Sequence, residues 1–83
     1  MPKYILVIQY DGLDAYEQHG SNIEKITKDI LAERRATDQT LFISTRSLPP
    51  THTTSFFVPD ALSLEQLKEE FPEGVIVDVH QEA

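Results

Sequence analysis

The sequence predicts an α+β fold, with two helices on one face of a four-stranded antiparallel sheet. Apolar residues recur with a strand-like period over residues 4–10, 41–46, 53–58 and 75–80, and with a helical period over 21–35 and 63–71. Each helical segment begins with a Ser-x-x-Glu or Ser-x-x-Gln sequence, which is a capping box. Turn-forming glycine, proline and aspartate separate the segments. The elements therefore follow the order β-α-β-β-α-β.

The first strand, residues 4–10, is apolar on both faces, as expected for a central strand that is covered on both sides. Asp11 and Gly12 end it with a turn signal. Residues 11–20 then predict a polar loop, which is long for a connection between a strand and a helix. Part of this loop, residues 14–18, alternatively forms a short helical turn.

The two helices are predicted from their caps and their apolar stripes. The first begins at Ser21, whose capping-box partner is Glu24, and the second begins at Ser63, whose partner is Gln66. Leu62 is expected to pack against Leu67 as a hydrophobic staple. The stripes at helical spacing are Ile23, Ile26 and Ile30 in the first helix, and Leu64, Leu67 and Phe71 in the second.

Six elements in this order predict a ferredoxin-like split sandwich with the strand order 4-1-3-2, as one domain over residues 1–83. Right-handed crossovers place both helices on the same face of the sheet. Alternation assigns the covered face to Tyr4, Leu6, Ile8, Tyr10, Leu41, Ile43, Phe56, Val58, Val75, Val77 and Val79. It assigns the open face to Ile5, Val7, Gln9, Phe42, Ser44, Arg46, Ser55, Phe57, Ile76, Asp78 and His80.

The open face predicts an interface. Its apolar members, Ile5, Val7, Phe42, Phe57 and Ile76, have no helix left to cover them, and contiguous exposed apolar surface usually marks an interaction site. We expect a homodimer that pairs face to face. A basic protein is the alternative partner, because Glu65, Glu69 and Glu70 give the second helix an acidic surface.

Asp78, His80 and Gln9 are the candidate catalytic residues. Asp78 and His80 lie two residues apart on one strand and therefore point the same way, and strand order brings Gln9 close to them. A carboxylate beside a histidine is the usual general-base arrangement. Arg46 is expected on the far edge of the sheet. The alternative interpretation is an exposed polar rim.

The polar loop at residues 11–20 holds the candidate metal ligands Asp11, Asp14, Glu17 and His19. Carboxylate and imidazole side chains this close suit a divalent cation. The spacing matches no calcium-loop motif, so a polar turn before the helix is the alternative. His52, beside Pro49 and Pro50, is expected to be a solvated loop residue, and no cofactor is predicted.

Charge and composition narrow the function classes. The net charge is −7, and residues 60–83 hold seven acidic residues against Lys68 alone. Such a field repels phosphate backbones, so nucleic-acid binding is not expected. The chain has no cysteine, which excludes thiolate nucleophiles and zinc sites built on cysteine. No apolar run is long enough for a signal peptide or a membrane span, so we expect a cytoplasmic protein that does not bind membranes.

At the level of fold, the predicted chain resembles two groups of proteins, although no motif carries either resemblance. Dimeric α+β barrel proteins pair through open sheet faces, and some use a histidine or aspartate there for catalysis. Resemblance to this group implies that the chain is a small enzyme with Asp78 and His80 as its acid–base pair. Small regulatory domains of the same topology bind metabolites at dimer interfaces, and resemblance to them implies a metabolite sensor instead. Because no catalytic motif is present, we favour a non-enzymatic interaction or regulatory protein.

Overall fold

The computed structural model describes residues 3–59 and 63–82, which form an α+β structure. Within these residues the elements are β1 (Lys3–Tyr10), α1 (Leu13–His19), α2 (Ile23–Glu33), β2 (Ile43–Ser44), β3 (His52–Phe57), α3 (Leu64–Glu70) and β4 (Val75–Glu82). Every helix in the described part of the chain is too short or too polar to cross a membrane.

The four strands form one open antiparallel sheet in the order β2-β3-β1-β4. Read from the opposite edge, this order is 4-1-3-2. The apolar β1 is a central strand, as its sequence predicts. It pairs along its whole length with β4, from Lys3 opposite Glu82 to Tyr10 opposite Val75, and along six residues with β3.

The hydrophobic core lies between one face of the sheet and the helices α2 and α3. Alternate residues of the central strands point into it, and Leu6, Ile8 and Phe56 have no exposed surface. The core also contains Tyr4, Val58, Val77, Ile23, Ile30, Leu31, Leu67 and Phe71. The predicted covered face is therefore correct for β1, β3 and β4.

The segment expected to be a polar loop contains the helix α1. Gly12 turns the chain with a φ of +94°, and the backbone N–H of Asp11 donates to the carbonyl oxygen of Gly74 at 2.8 Å. Ala15 is then buried on the inner side of α1. The suggestion of a short helical turn at residues 14–18 was closer to the structure than a loop, because Ala15 is buried and the Tyr16 ring contacts Tyr10 of β1.

The two predicted capping boxes have different outcomes. The first predicted helix corresponds to α2, which begins two residues later than predicted. Asn22 occupies its N-cap and no side chain caps it, so the predicted capping box at Ser21 is wrong. In α3 the backbone N–H of Gln66 donates to the Ser63 hydroxyl at 3.4 Å, so this cap is confirmed. The predicted staple involves Leu62, which lies outside the described residues.

The second strand departs most from prediction. It covers two residues instead of six, and its side chains have the opposite orientation. Ile43 lies opposite Thr53 on the open face and is 72% exposed, whereas Phe42 packs against the core. Ser44 likewise faces the covered side, opposite His52. Leu41, predicted to be covered, is 83% exposed.

The phase of the alternation, which pairing with β3 determines, explains this reversal. Thr37 bridges Phe57 and Ile43 pairs with Thr53, so both lie opposite residues of the open face, and they are an even number of residues apart. The segment advances six residues while its partner advances four, so two residues leave the regular ladder without changing this phase. The prediction assigned the opposite phase to residues 41–46, which was wrong, and Phe42 does not belong to the open face.

Candidate functional site

The open face of the sheet carries an apolar patch, which we call the open-face patch. It consists of Ile5, Val7, Ile43, Phe57 and Ile76. Ile76 is 49% exposed at the β4 side, Ile43 is more exposed at the β2 side, and the other three are half-buried between them. The helices α2 and α3 pack on the opposite face of the sheet. This arrangement leaves apolar side chains exposed on all four strands, with the polar residues Thr53, Ser55, Asp78 and His80 opposite Val7 and Ile5 between them.

The charged groups around the open-face patch are mostly paired with one another. The Lys3 ammonium lies 3.1 Å from the Glu82 carboxylate and 5.8 Å from the centre of the Phe57 ring. The Asp78 and His80 side chains are also in contact. Between Lys3, Ile5, Ile43 and Glu82 there is a shallow depression of about 250 Å³. With histidine neutral, Lys3, Asp78 and Glu82 give the open face a net charge of only −1.

The candidate pair Asp78 and His80 forms as the strand periodicity predicts. The Nε2 atom of His80 is 3.0 Å from a carboxylate oxygen of Asp78, and the other oxygen of Asp78 accepts from the Val79 backbone N–H. The side chains are 63% and 56% exposed, so the pair lies in solvent instead of a cleft. Gln9 is exposed opposite Ile76, diagonal to Asp78. The pair therefore lacks the enclosure from water that general-base catalysis normally uses.

The candidate metal ligands are not assembled into a site. Asp11 precedes α1, and Asp14, Glu17 and His19 lie on it. Across residues 3–59 and 63–82, no group of three or more histidine, aspartate or glutamate side chains is close enough to hold a metal ion. Three of these residues belong to a helix and Asp11 comes before it, whereas the prediction placed all four in one loop.

The acidic surface of α3 is partly engaged within the chain. Glu65 and Glu69 are exposed, but the Glu70 carboxylate forms an ion pair with the Arg34 guanidinium at the end of α2. Arg34 also donates to the carbonyl oxygen of Ile30 at 3.3 Å. Glu70 therefore connects the two helices of the covered face, whereas Glu65 and Glu69 form no ion pair with any other residue of 3–59 and 63–82.

A chain of hydroxyl and imidazole groups, which the sequence did not predict, lies at the covered side of the sheet. The Tyr10 hydroxyl is 2.8 Å from Nε2 of His52, and Nδ1 of His52 is 2.5 Å from the Ser44 hydroxyl. His52 is the first residue of β3 and shares a face with Thr54 and Phe56. The expectation that His52 is a solvated loop residue is therefore wrong.

Aromatic rings fix the position of this imidazole. The Tyr10 ring meets it edge-on at 5.5 Å, and the Phe42 ring lies 5.6 Å away on another side. Tyr10 is itself held by an edge contact with Tyr16 of α1. Position 52 has the same alternation phase as the buried Phe56, and this was the signal that could have placed His52 on the strand.

Burial shifts the pKa values of both His52 and Tyr10. Desolvation lowers the pKa of His52 below its ordinary value, although the charge of Glu24 on α2 opposes the shift. Desolvation also raises the pKa of Tyr10, and the neighbouring Tyr16 adds to this effect. The imidazole is therefore neutral near pH 7, so one of its two hydroxyl partners donates to it and the other accepts from it.

Comparisons with known proteins identify no family for this chain. No protein-family model matches the sequence, and no curated protein matches it significantly.

Proposed function

We propose that the protein is an interaction module that forms a homodimer through its open-face patch. The observation that carries this proposal is the apolar surface of Ile5, Val7, Ile43, Phe57 and Ile76, opposite the face on which α2 and α3 pack. Two such surfaces related by a two-fold axis remove their exposed apolar side chains from water when they pair.

The distribution of charge supports a second copy as the occupant of this face. The three helices carry eight acidic residues and three lysines, a net charge of −5, whereas Lys3, Asp78 and Glu82 give the open face a net charge of −1. Pairing through the sheet therefore keeps the two acidic helix layers on opposite outer sides of the dimer. A contact between the helix layers would bring like charges together.

The fold assignment that accompanies this proposal is a ferredoxin-like split sandwich with α1 as an additional helix. The central position of β1 and the packing of α2 and α3 on one face support it. The cytoplasmic location predicted from the sequence stays a prediction.

Sedimentation equilibrium over a range of protein concentrations tests the dimer. We expect a reversible dimer that Ile76→Lys weakens by about tenfold or more, because the dimer would bury an unpaired ammonium group from each copy. Leu48→Lys is the matched control, since Leu48 is 72% exposed outside the sheet and its substitution leaves dimerisation unchanged. A monomer at every concentration, or equal weakening by both variants, would contradict the proposal.

A basic protein remains the second candidate partner, favoured by the exposed Glu65 and Glu69 of α3. The informative variant changes these two residues to lysine and leaves Glu70 in place, because Glu70 stabilises the chain through Arg34. If this variant stops capture of a basic protein while Ile76→Lys does not, the acidic helix is the binding surface. If neither variant changes what is captured, the interaction does not use α3 or the open face.

The enzyme and the metabolite sensor stay as alternatives to the interaction module. The contact between Asp78 and His80 favours the enzyme, and its test is Asp78→Asn, which keeps the shape of the side chain and removes its charge. A reaction that survives this change does not depend on the Asp78–His80 pair.

The metabolite sensor is tested by measuring thermal shifts of the protein across a metabolite panel. A flat profile counts against the sensor.

A further inference from the structure

We propose that Ser44 is a nucleophilic serine, activated by His52, that accepts the acyl group of small carboxylic esters. This activity goes beyond the proposed dimer and belongs to a different surface. Ser44 lies opposite His52 on the covered side of the β2–β3 edge, whereas Ile43, its neighbour, faces the open side. Dimerisation and acylation are therefore measured separately, and the failure of one leaves the other intact.

The geometry is that of a nucleophile, a base and a group that orients the base. The Ser44 hydroxyl and Nδ1 of His52 are 2.5 Å apart, and the opposite ring nitrogen is 2.8 Å from the Tyr10 hydroxyl. A serine alcohol is a weak nucleophile unless a neutral base takes its proton, and the base must be held in one orientation and tautomer. Tyr10 supplies that orientation, so it is a positioning residue.

Access to the site differs between its members. Ser44 is exposed, so a small ester reaches its hydroxyl directly from solvent. His52 is half-buried, and Tyr10 is only 7% exposed. The Phe42 ring lies 5.6 Å from the imidazole and borders the site with an apolar surface. This surrounding favours a short apolar acyl group over a charged one.

The proposed step balances with groups already present and water. The Ser44 oxygen attacks the carbonyl carbon of the ester as its proton moves to Nδ1 of His52, while Nε2 keeps its own proton and donates to the Tyr10 oxygen. The bond to the leaving alcohol then breaks, and the alcohol departs with the proton from Nδ1. Water, deprotonated by the same nitrogen, releases the acid from the acyl-serine and restores the Ser44 hydroxyl.

Acetylation by p-nitrophenyl acetate tests the proposal in the full chain. We expect one acetyl group, mapped to Ser44 by peptide mass spectrometry after an acid quench. Ser44→Ala removes this adduct, and His52→Gln slows its formation by about a hundredfold, the usual contribution of a general base. Ser47→Ala is the matched control, because Ser47 is an exposed neighbouring hydroxyl whose hydrogen bonds go to Thr45 and Pro49 and not to a histidine among the described residues. Circular dichroism verifies that each variant is folded.

The pH profile of the unmodified protein gives a second measurement that needs no variant. The rate is expected to rise with pH as His52 loses its proton, with a midpoint below the ordinary histidine value. The titratable groups that act on His52 are Tyr10 from β1 and Glu24 from α2.

The variant Tyr10→Phe tests the positioning role of Tyr10. It keeps the ring and is expected to slow acetylation and to move the midpoint of the pH profile. An acetyl group on a lysine instead of Ser44, or an unchanged rate in His52→Gln, would overturn the proposal.

Discussion

At the scale of single residues, His52 shows how burial and hydrogen bonding create a chemical environment that composition does not reveal. Two prolines precede it at positions 49 and 50, and they suggest a loop. In the structure its ring nitrogens contact the hydroxyls of Tyr10 and Ser44. These residues are far apart in the sequence, so only the pairing of β1 and β2 with β3 brings them together. Local periodicity could place His52 on a strand but could not identify its partners.

The lowered pKa of His52 predicts a specific loss of stability in acid. The unfolded chain binds a proton at the ordinary histidine pKa of about 6.5. The folded chain binds that proton only at lower pH, because desolvation disfavours the imidazolium. Between the two pKa values the unfolded state therefore holds more protons, and the free energy of unfolding falls as the pH drops through this window.

Urea denaturation at several pH values measures this effect. His52→Gln is expected to flatten the dependence of stability on pH below about 6.5. His80→Gln is the control, because it makes the same substitution at a histidine whose side chain is 63% exposed. If both variants keep the dependence of the unmodified protein, His52 is not its source.

At the scale of elements, the sequence predicts the strands β1, β3 and β4 well because each has a regular alternation or a continuous apolar run. The helix caps and the strand β2 were harder to predict from the sequence. A Ser-x-x-Glu sequence precedes α2 as a Ser-x-x-Gln sequence precedes α3, yet only Ser63 caps a helix. The face to which each residue of β2 points depends on its pairing with β3, and no local pattern reports such a non-local register.

Ser63 caps α3 whereas Ser21 does not cap α2, so we expect their substitution to change stability by different amounts. Ser63→Ala removes the acceptor of the Gln66 N–H and is expected to lower the free energy of unfolding by about 0.5–1 kcal/mol. Ser21→Ala, in the box that does not cap α2, is expected to change it by less than about 0.5 kcal/mol. Equal losses in chemical denaturation would show that the two boxes are equivalent in solution.

At the scale of the whole molecule, the fold separates acidic charge from apolar surface. The sheet buries one face under α2 and α3 and leaves the other nearly neutral, whereas the helices carry most of the net charge of −7. The sequence predicted this division correctly for the central strands, since alternation sorts their side chains. It misplaced Phe42 and Ile43, so the composition of the patch at its β2 side required the structure.

This separation predicts how salt affects self-association. Two copies that each carry −7 repel one another at a distance, and dissolved ions screen this repulsion. The dimer dissociation constant is therefore expected to fall as sodium chloride is raised from low to physiological concentration. Capture of a basic protein by Glu65 and Glu69 would show the opposite trend, because salt weakens attraction between opposite charges. Sedimentation equilibrium at several salt concentrations distinguishes the two.

The pairing of β1 with β4 also determines when the chain can fold as it is synthesised. Lys3 lies opposite Glu82, so one neighbour of the central strand β1 is β4, the last of the four strands to be synthesised. Ribosomes add roughly 5–20 residues per second, and residues 4–8 emerge as an unbroken apolar run that must wait several seconds for this partner. During that interval the nascent chain offers chaperones an exposed hydrophobic segment. Stalling translation before residue 75 would leave the sheet incomplete.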